Sequence, residues 1–131
     1  MDAATKTGTD QQRALREGHR ATLRMSHQEV VKQLVERLGP TLVAALADVR
    51  DSKLPYKWMK SDGPRPGDGA LSRLNAALRA WNLIANWEDE HVARAWFIGA
   101  NPDLGELSPI MELRSGATDR VLAAAQHFVE E

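Results

Sequence analysis

The chain contains no cysteine among its 131 residues. This absence excludes disulfide bonds, zinc–thiolate centres and thiol catalysis, and it fits a cytoplasmic protein. No apolar run is long enough to span a bilayer, and no basic start leads into an apolar stretch, so we expect no membrane association. No segment alternates apolar and polar residues with the two-residue period of a β-strand. These absences leave a helical protein whose apolar content, 43%, is ordinary for a globular domain.

Catalytic motifs are missing as well. The four histidines have none of the H-x-x-x-H spacings that hold a metal ion on one face of a helix. His91 follows the acidic residues 88–90, but acidic side chains at a helix start are typical of a favourable interaction with the helix dipole. Gly63 and Gly67 lie in a proline-rich loop and precede no Gly-Lys-Ser/Thr sequence, so they predict no phosphate-binding loop. We therefore expect a protein that is not an enzyme and needs neither a cofactor nor a metal ion.

Charge is divided unevenly along the chain. Residues 1–85 hold 14 Lys+Arg and 9 Asp+Glu, whereas residues 86–131 hold 3 and 9. The whole-chain net charge of −1 therefore conceals a basic front part at +5 and an acidic back part at −6. This division indicates two different partners, a nucleic acid for the front and a protein for the back, although uneven charge also arises by chance in short chains.

Apolar residues recur at helical spacing from residue 26 to residue 129, so we predict an all-α fold. The predicted helices cover about residues 26–38, 40–49, 53–60, 71–87, 88–98, 110–113 and 118–129. Ser26 and Glu29 form a capping box for the first helix, and Ser52 is expected to cap the third. Residues 1–24 are polar and are predicted to form a flexible N-terminal tail.

Four tryptophans lie at helical positions, where aromatic side chains belong to the core far more often than to a binding site. We interpret Trp58, Trp81 and Trp96 as core residues. Trp87 lies between Asn86 and Glu88, so we expect it at the surface, where it would anchor a partner helix.

Residues 40–60 fit the helix-turn-helix pattern, in which two short helices joined by a tight turn place the second helix in the major groove of DNA. Ala44 lets the helices approach, and Trp58 anchors the second helix. Basic and aromatic residues on that helix and in its turn are expected to contact phosphates and base edges: Arg50, Lys53, Tyr56, Lys57 and Lys60. Asp48 occupies the turn position usually held by glycine, and Pro55 replaces the usual β-branched residue. A helical pair that packs without contacting DNA is the alternative interpretation.

A stiff loop is predicted after the helix that ends near residue 98. Pro102 cannot continue that helix and pushes Asn101 out of the α region. Gly105 is free to take a positive φ. Ser108 followed by Pro109 is a cap with proline in the first helical position, and this pair starts a new helix.

The pattern WF-x-x-x-NP-x-LG-x-x-SP-x-x-x-L-x-x-G, from residue 96 to residue 116, resembles the C-terminal domain of Xre/MbcA/ParS-like antitoxins. The resemblance implies a cytoplasmic bacterial antitoxin that neutralises a RES-domain toxin, an enzyme that degrades NAD⁺. It also implies a homodimer that in many members binds operator DNA. On this basis residues 25–87 would form an Xre-like helix-turn-helix region, which packs on a toxin-binding domain at residues 88–131.

The toxin-facing residues implied by the resemblance lie in the loop and at the end of the last helix: Trp96, Phe97, Asn101, Pro102, Leu104, Gly105, Pro109, Phe128, Glu130 and Glu131. Leu104 and Leu107 are apolar, so we expect the loop to be packed rather than open. The acidic end of the chain would compete with an anionic dinucleotide for the toxin's basic pocket. The alternative function is a stand-alone helix-turn-helix repressor of the phage or plasmid type, whose C-terminal region serves only for dimerisation.

Overall fold

The computed structural model describes residues 12–13 and 25–130. The predicted N-terminal tail lies outside these residues except for Gln12 and Arg13, which are helical, and Glu131 also lies outside them. No strand occurs in the described residues, so the prediction of an all-α fold is confirmed.

Residues 25–130 form seven α-helices and one 3₁₀ turn. In chain order these are α1 His27–Leu38, α2 Pro40–Leu46, α3 Leu54–Trp58, α4 Asp68–Trp87, α5 Glu90–Ile98, the 3₁₀ turn Pro102–Leu104, α6 Pro109–Arg114 and α7 Thr118–Glu130. None of the helices in the described part of the chain is long and apolar enough to cross a membrane.

A capping side chain begins three of the seven α-helices, α1, α5 and α6, through Ser26, Asp89 and Ser108. The Ser26 hydroxyl accepts a hydrogen bond from the Glu29 amide at 3.3 Å, as predicted for α1. The predicted cap at Ser52 is wrong. The N-cap of α3 is Lys53, and its amide donates to the Asp51 carboxylate at 2.9 Å in the preceding turn. The second helix of the predicted helix-turn-helix was expected to cover about residues 53–60. It is shorter in the structure, because α3 begins at Leu54 and ends at Trp58.

The helices enclose one hydrophobic core, in which α4 is central. This helix packs most extensively against α7 and also contacts α1 and α5. The largest fully buried side chains come from both the front and the back of the chain: Val30, Val31, Leu34, Val43, Leu46, Leu74, Leu78, Leu83, Ile84, Phe97, Leu104 and Leu113. The predicted boundary after residue 87 coincides with the end of α4, but the two parts share this core.

The tryptophans are buried to different extents. Trp58 and Trp81 are core residues, which confirms their interpretation, and Trp96 is half-buried against the core. The expectation that Trp87 lies at the surface is wrong, since only 9% of it is exposed. Trp87 follows the buried Ile84 by three residues, which places both side chains on the core-facing side of α4.

Candidate partner-binding loop and helix-turn-helix

The loop between α5 and α6 is closed by hydrogen bonds that converge on Asn101. The Asn101 amide donates to the Leu107 carbonyl at 3.2 Å, and its own carbonyl accepts from the amides of Leu104 and Glu106 at 3.0 and 2.9 Å. Its side-chain oxygen accepts from the Asp103 amide at 2.9 Å, which forms an Asx turn. Asn101 is extended at φ −126° and ψ 119°, as predicted for a residue before proline. One residue therefore fixes both ends of the loop.

Two successive loop residues take the left-handed conformation. Gly105 has φ +63° and ψ +34°, which confirms the prediction of a positive φ. A Cβ atom added to Gly105 would meet nothing within 4 Å, so the backbone conformation rather than space favours glycine there. Glu106 follows at φ +70° although it carries a side chain. A left-handed residue with a Cβ costs roughly 1–2 kcal/mol, so the loop hydrogen bonds must hold Glu106 in place.

The predicted toxin-facing residues differ in exposure. Pro102, Gly105 and Glu130 are exposed. Three others are half-buried, namely Trp96, Asn101 and Phe128, and Glu131 lies outside the described residues. The remaining three are buried and present no surface to a partner: Phe97, Leu104 and Pro109. These three support the loop from beneath, and they would influence binding only through its shape.

Three exposed apolar side chains flank the loop, and the sequence analysis did not select them. Ile98, Leu107 and Met111 are each about half exposed. Leu104 is buried, in line with the expectation of a packed loop, whereas Leu107 is half exposed. The hydrogen bond from the Asn101 amide to the Leu107 carbonyl closes the loop, and Ile98 lies at the end of α5, three residues before Asn101. Sequence periodicity offered little signal here, because Ile98 ends α5, Leu107 lies in the loop and Met111 lies in the six-residue helix α6.

A chain of polar contacts joins the loop to α6 and α7. Asp103 Oδ2 lies 2.6 Å from Nδ1 of His127, and Arg120 donates to the Asp103 carbonyl at 3.5 Å. The same Arg120 lies 3.1 Å from Glu112, which is the one buried charged residue in the described part of the chain. The loop, α6 and α7 therefore meet as one polar network beside the shared core.

The C-terminal end of α7 belongs to the core. Val129 is buried and Phe128 is half-buried, so the last turn of α7 packs against the protein. Removing the chain from Phe128 onward would delete core side chains together with the acidic end. Charge substitution at Glu130, which is exposed, is therefore the cleaner way to test an inhibitory acidic tail.

The turn after α2, within the predicted helix-turn-helix, is closed by two backbone hydrogen bonds. Asp48 has φ +62°, its amide donates to the Ala45 carbonyl, and the Val49 amide donates to the Ala44 carbonyl. These two hydrogen bonds form a Schellman motif, which usually places glycine at the left-handed position. Aspartate tolerates that conformation better than most residues do. Asp48 thus takes the left-handed conformation that glycine usually provides at this position.

The predicted DNA-contacting residues are all exposed. Tyr56 and Lys57 lie on α3 itself, Lys53 and Lys60 lie just before and just after it, and Arg50 is exposed in the preceding turn. Within residues 12–13 and 25–130, none of the basic residues in this set forms an ion pair with an acidic side chain. Their charge is available to a partner.

Neither metal chemistry nor comparison with other proteins assigns an activity to these two regions. The described residues hold no group of three or more His, Asp or Glu side chains that could bind a metal ion. Comparison of the chain with protein-family models, curated proteins and solved structures finds no match in any of the three. The interpretation of both regions depends on their residues and geometry.

Proposed function

We propose that the chain is the antitoxin of a type II toxin–antitoxin pair, acts in the cytoplasm and neutralises a RES-domain toxin. The observation that carries this proposal is the closed loop built from the antitoxin-like pattern, with Ile98, Leu107 and Met111 exposed beside it. A contiguous exposed apolar patch is typical of a protein-binding surface, and we propose that these three side chains form one.

The charge of the back part supports a basic partner. Its three arginines are engaged internally: Arg94 donates to the Arg37 and Leu38 carbonyls, Arg114 pairs with Asp48, and Arg120 pairs with Glu112. Nine acidic side chains outnumber these three arginines, so the back part of the chain carries a net negative charge. An acidic surface is complementary to an enzyme that binds an anionic dinucleotide through basic residues.

The direct test is co-expression with the product of the neighbouring gene, followed by affinity capture and a measurement of NAD⁺ loss. We expect the two proteins to purify together and NAD⁺ to be preserved in the complex. A neighbouring gene that encodes no RES-like protein would favour the stand-alone repressor instead. Light scattering on the purified chain tests the homodimer that the antitoxin resemblance implies.

We expect a Leu107→Asp variant to keep the helical content and thermal midpoint of the wild type but to lose most of its toxin binding. Leu107 is about half exposed, so aspartate there leaves the core intact and places a charge in the binding surface. Tyr56→Asp is the matched control, since Tyr56 is equally exposed but lies on α3. Equal capture of the toxin by both variants would remove the loop from the interface.

The helix-turn-helix favours a second activity, binding to operator DNA. The observations behind it are the Schellman turn at Asp48 and the exposed basic residues on and next to α3. Operator binding would let an antitoxin regulate its own operon, and it would be the whole function of a stand-alone repressor. The toxin experiment separates these two cases.

We expect Lys57→Glu to weaken binding to promoter DNA and to lower the slope of log affinity against log salt by about 1, because one phosphate contact is lost. Lys32→Glu is the control, since Lys32 is exposed on α1, away from the turn. Fluorescence anisotropy over a range of salt concentrations measures both quantities. If the protein binds no DNA even at low salt, alone or with its toxin, the helix pair packs without reading DNA.

A further inference from the structure

We propose that Glu106 selects the protein partner of the loop by forming an ion pair with a lysine or arginine beside an apolar recess of that partner. This inference rests on the proposed function, because it takes the loop as the partner-binding element. It adds to that function a residue that determines specificity, Glu106, and the kind of partner surface that binds this residue.

The first observation is the conformation of Glu106. Glu106 and Asp48 are the two non-glycine residues with positive φ in the described chain. Asp48 has a structural reason for it, because it closes α2 in a Schellman motif and aspartate is enriched in the left-handed region. Glutamate has no such preference, and Gly105 next to it shows the residue that the conformation favours. Strained backbone conformations of this kind occur preferentially at functional sites.

The second observation is that the backbone of Glu106 is held on both sides. Its amide donates to the Asn101 carbonyl at 2.9 Å, and the following Leu107 is hydrogen-bonded at both its amide and its carbonyl. The carboxylate therefore extends from a fixed point on the loop. Such preorganisation reduces the entropy lost when a partner binds.

The third observation is that Glu106 has no internal partner. Its side chain is exposed and forms no hydrogen bond or ion pair within residues 12–13 and 25–130, whereas Asp103 of the same loop contacts His127. The arginines of the back part are engaged elsewhere: Arg94, Arg114 and Arg120. Glu106 is thus the acidic group of the loop that remains available to another molecule.

The surroundings of Glu106 define the complementary surface. Leu107 follows Glu106 directly in the chain and is about half exposed, and so is Ile98 at the end of α5. An apolar contact beside an ion pair excludes water from it and strengthens it. A second copy of the chain fits less well, because two copies meeting through the same surface would bring two Glu106 carboxylates into one interface. The surface therefore suits a different protein that is basic at the rim of an apolar recess.

The test compares Glu106→Gln and Glu106→Gly in the full chain, with Glu36→Gln on the exposed side of α1 as the control. The probe is the purified RES-like product of the neighbouring gene, and titration calorimetry at two salt concentrations gives the dissociation constants. We expect Glu106→Gln to weaken binding about tenfold at low salt, with a smaller difference at high salt. Glu106→Gly should weaken binding at least as much while raising the thermal midpoint, because glycine relieves the backbone strain.

The outcomes separate the two proposals. If wild-type protein binds the probe and Glu106→Gln binds equally well, the role of Glu106 is overturned and the proposed function stands. If wild-type protein neither binds nor inhibits the probe, the proposed function falls and this inference falls with it. If Glu106→Gln instead changes the self-association of the chain in light scattering and leaves probe binding intact, the surface belongs to a second copy and the inference is wrong.

Discussion

A Leu78→Asp variant is expected to be unfolded. Leu78 is fully buried near the middle of α4, the helix that contacts α1, α5 and α7. Aspartate there removes buried apolar surface and leaves a carboxylate without a partner, for a total cost of about 4–5 kcal/mol or more. A loss of that size is comparable to the total stability of many small domains, roughly 5–15 kcal/mol. Far-UV circular dichroism and chemical denaturation measure the effect.

The matched control for Leu78→Asp is Ser72→Asp on the same helix. Ser72 is exposed, so the same carboxylate remains in water and should change stability by less than about 0.5 kcal/mol. A folded Leu78→Asp variant with the denaturation midpoint of the wild type would contradict the central packing of α4.

Replacing Phe97 by alanine is expected to lower the free energy of unfolding by about 3–5 kcal/mol. Phe97 is fully buried, and its ring lies 5.9 Å from Trp81 and 5.1 Å from Trp96 between centroids. Alanine would leave a cavity beneath the loop. Urea denaturation followed by tryptophan fluorescence measures the loss, and any loss of toxin binding should follow the unfolded fraction.

An alanine substitution at Ile98, the residue after Phe97, should have the opposite effects on stability and binding. Ile98 is about half exposed, so Ile98→Ala should change stability by less than about 1 kcal/mol and weaken toxin binding of the folded protein. If Phe97→Ala instead kept the stability of the wild type, or Ile98→Ala lost as much stability as expected for Phe97→Ala, the assignment of these two residues to core and surface would be wrong.

The two candidate sites belong to one folded unit. Asp48 in the turn after α2, within the predicted helix-turn-helix, lies 3.4 Å from Arg114 at the end of α6, and α2 packs against α6. Both side chains of this ion pair are substantially exposed, so it contributes at most about 1 kcal/mol. The shared hydrophobic core, rather than this ion pair, holds the two sites together.

The sequence by itself determined the features that depend on neighbouring residues. Helical periodicity predicted the all-α class, and Ser26 and Ser108 were correctly identified as helix caps. Gly105 takes the predicted positive φ, and Asn101 leaves the α region before its proline. These predictions succeeded because caps, glycine and proline act over one to four residues, and their effects need no knowledge of the remaining fold.

Only the tertiary structure decided which apolar side chains of the helices and the loop are buried. The polar neighbours Asn86 and Glu88 wrongly predicted Trp87 at the surface, and the packing of α4 buries it. Tertiary packing also buries Phe97 and leaves its neighbour Ile98 half exposed. In the closed loop Leu104 is buried and Leu107 is half exposed, although the two leucines look alike in sequence. Exposure depends on helices that are distant along the chain, and the conformation of Glu106 depends on a hydrogen bond to Asn101 that a residue pattern does not reveal.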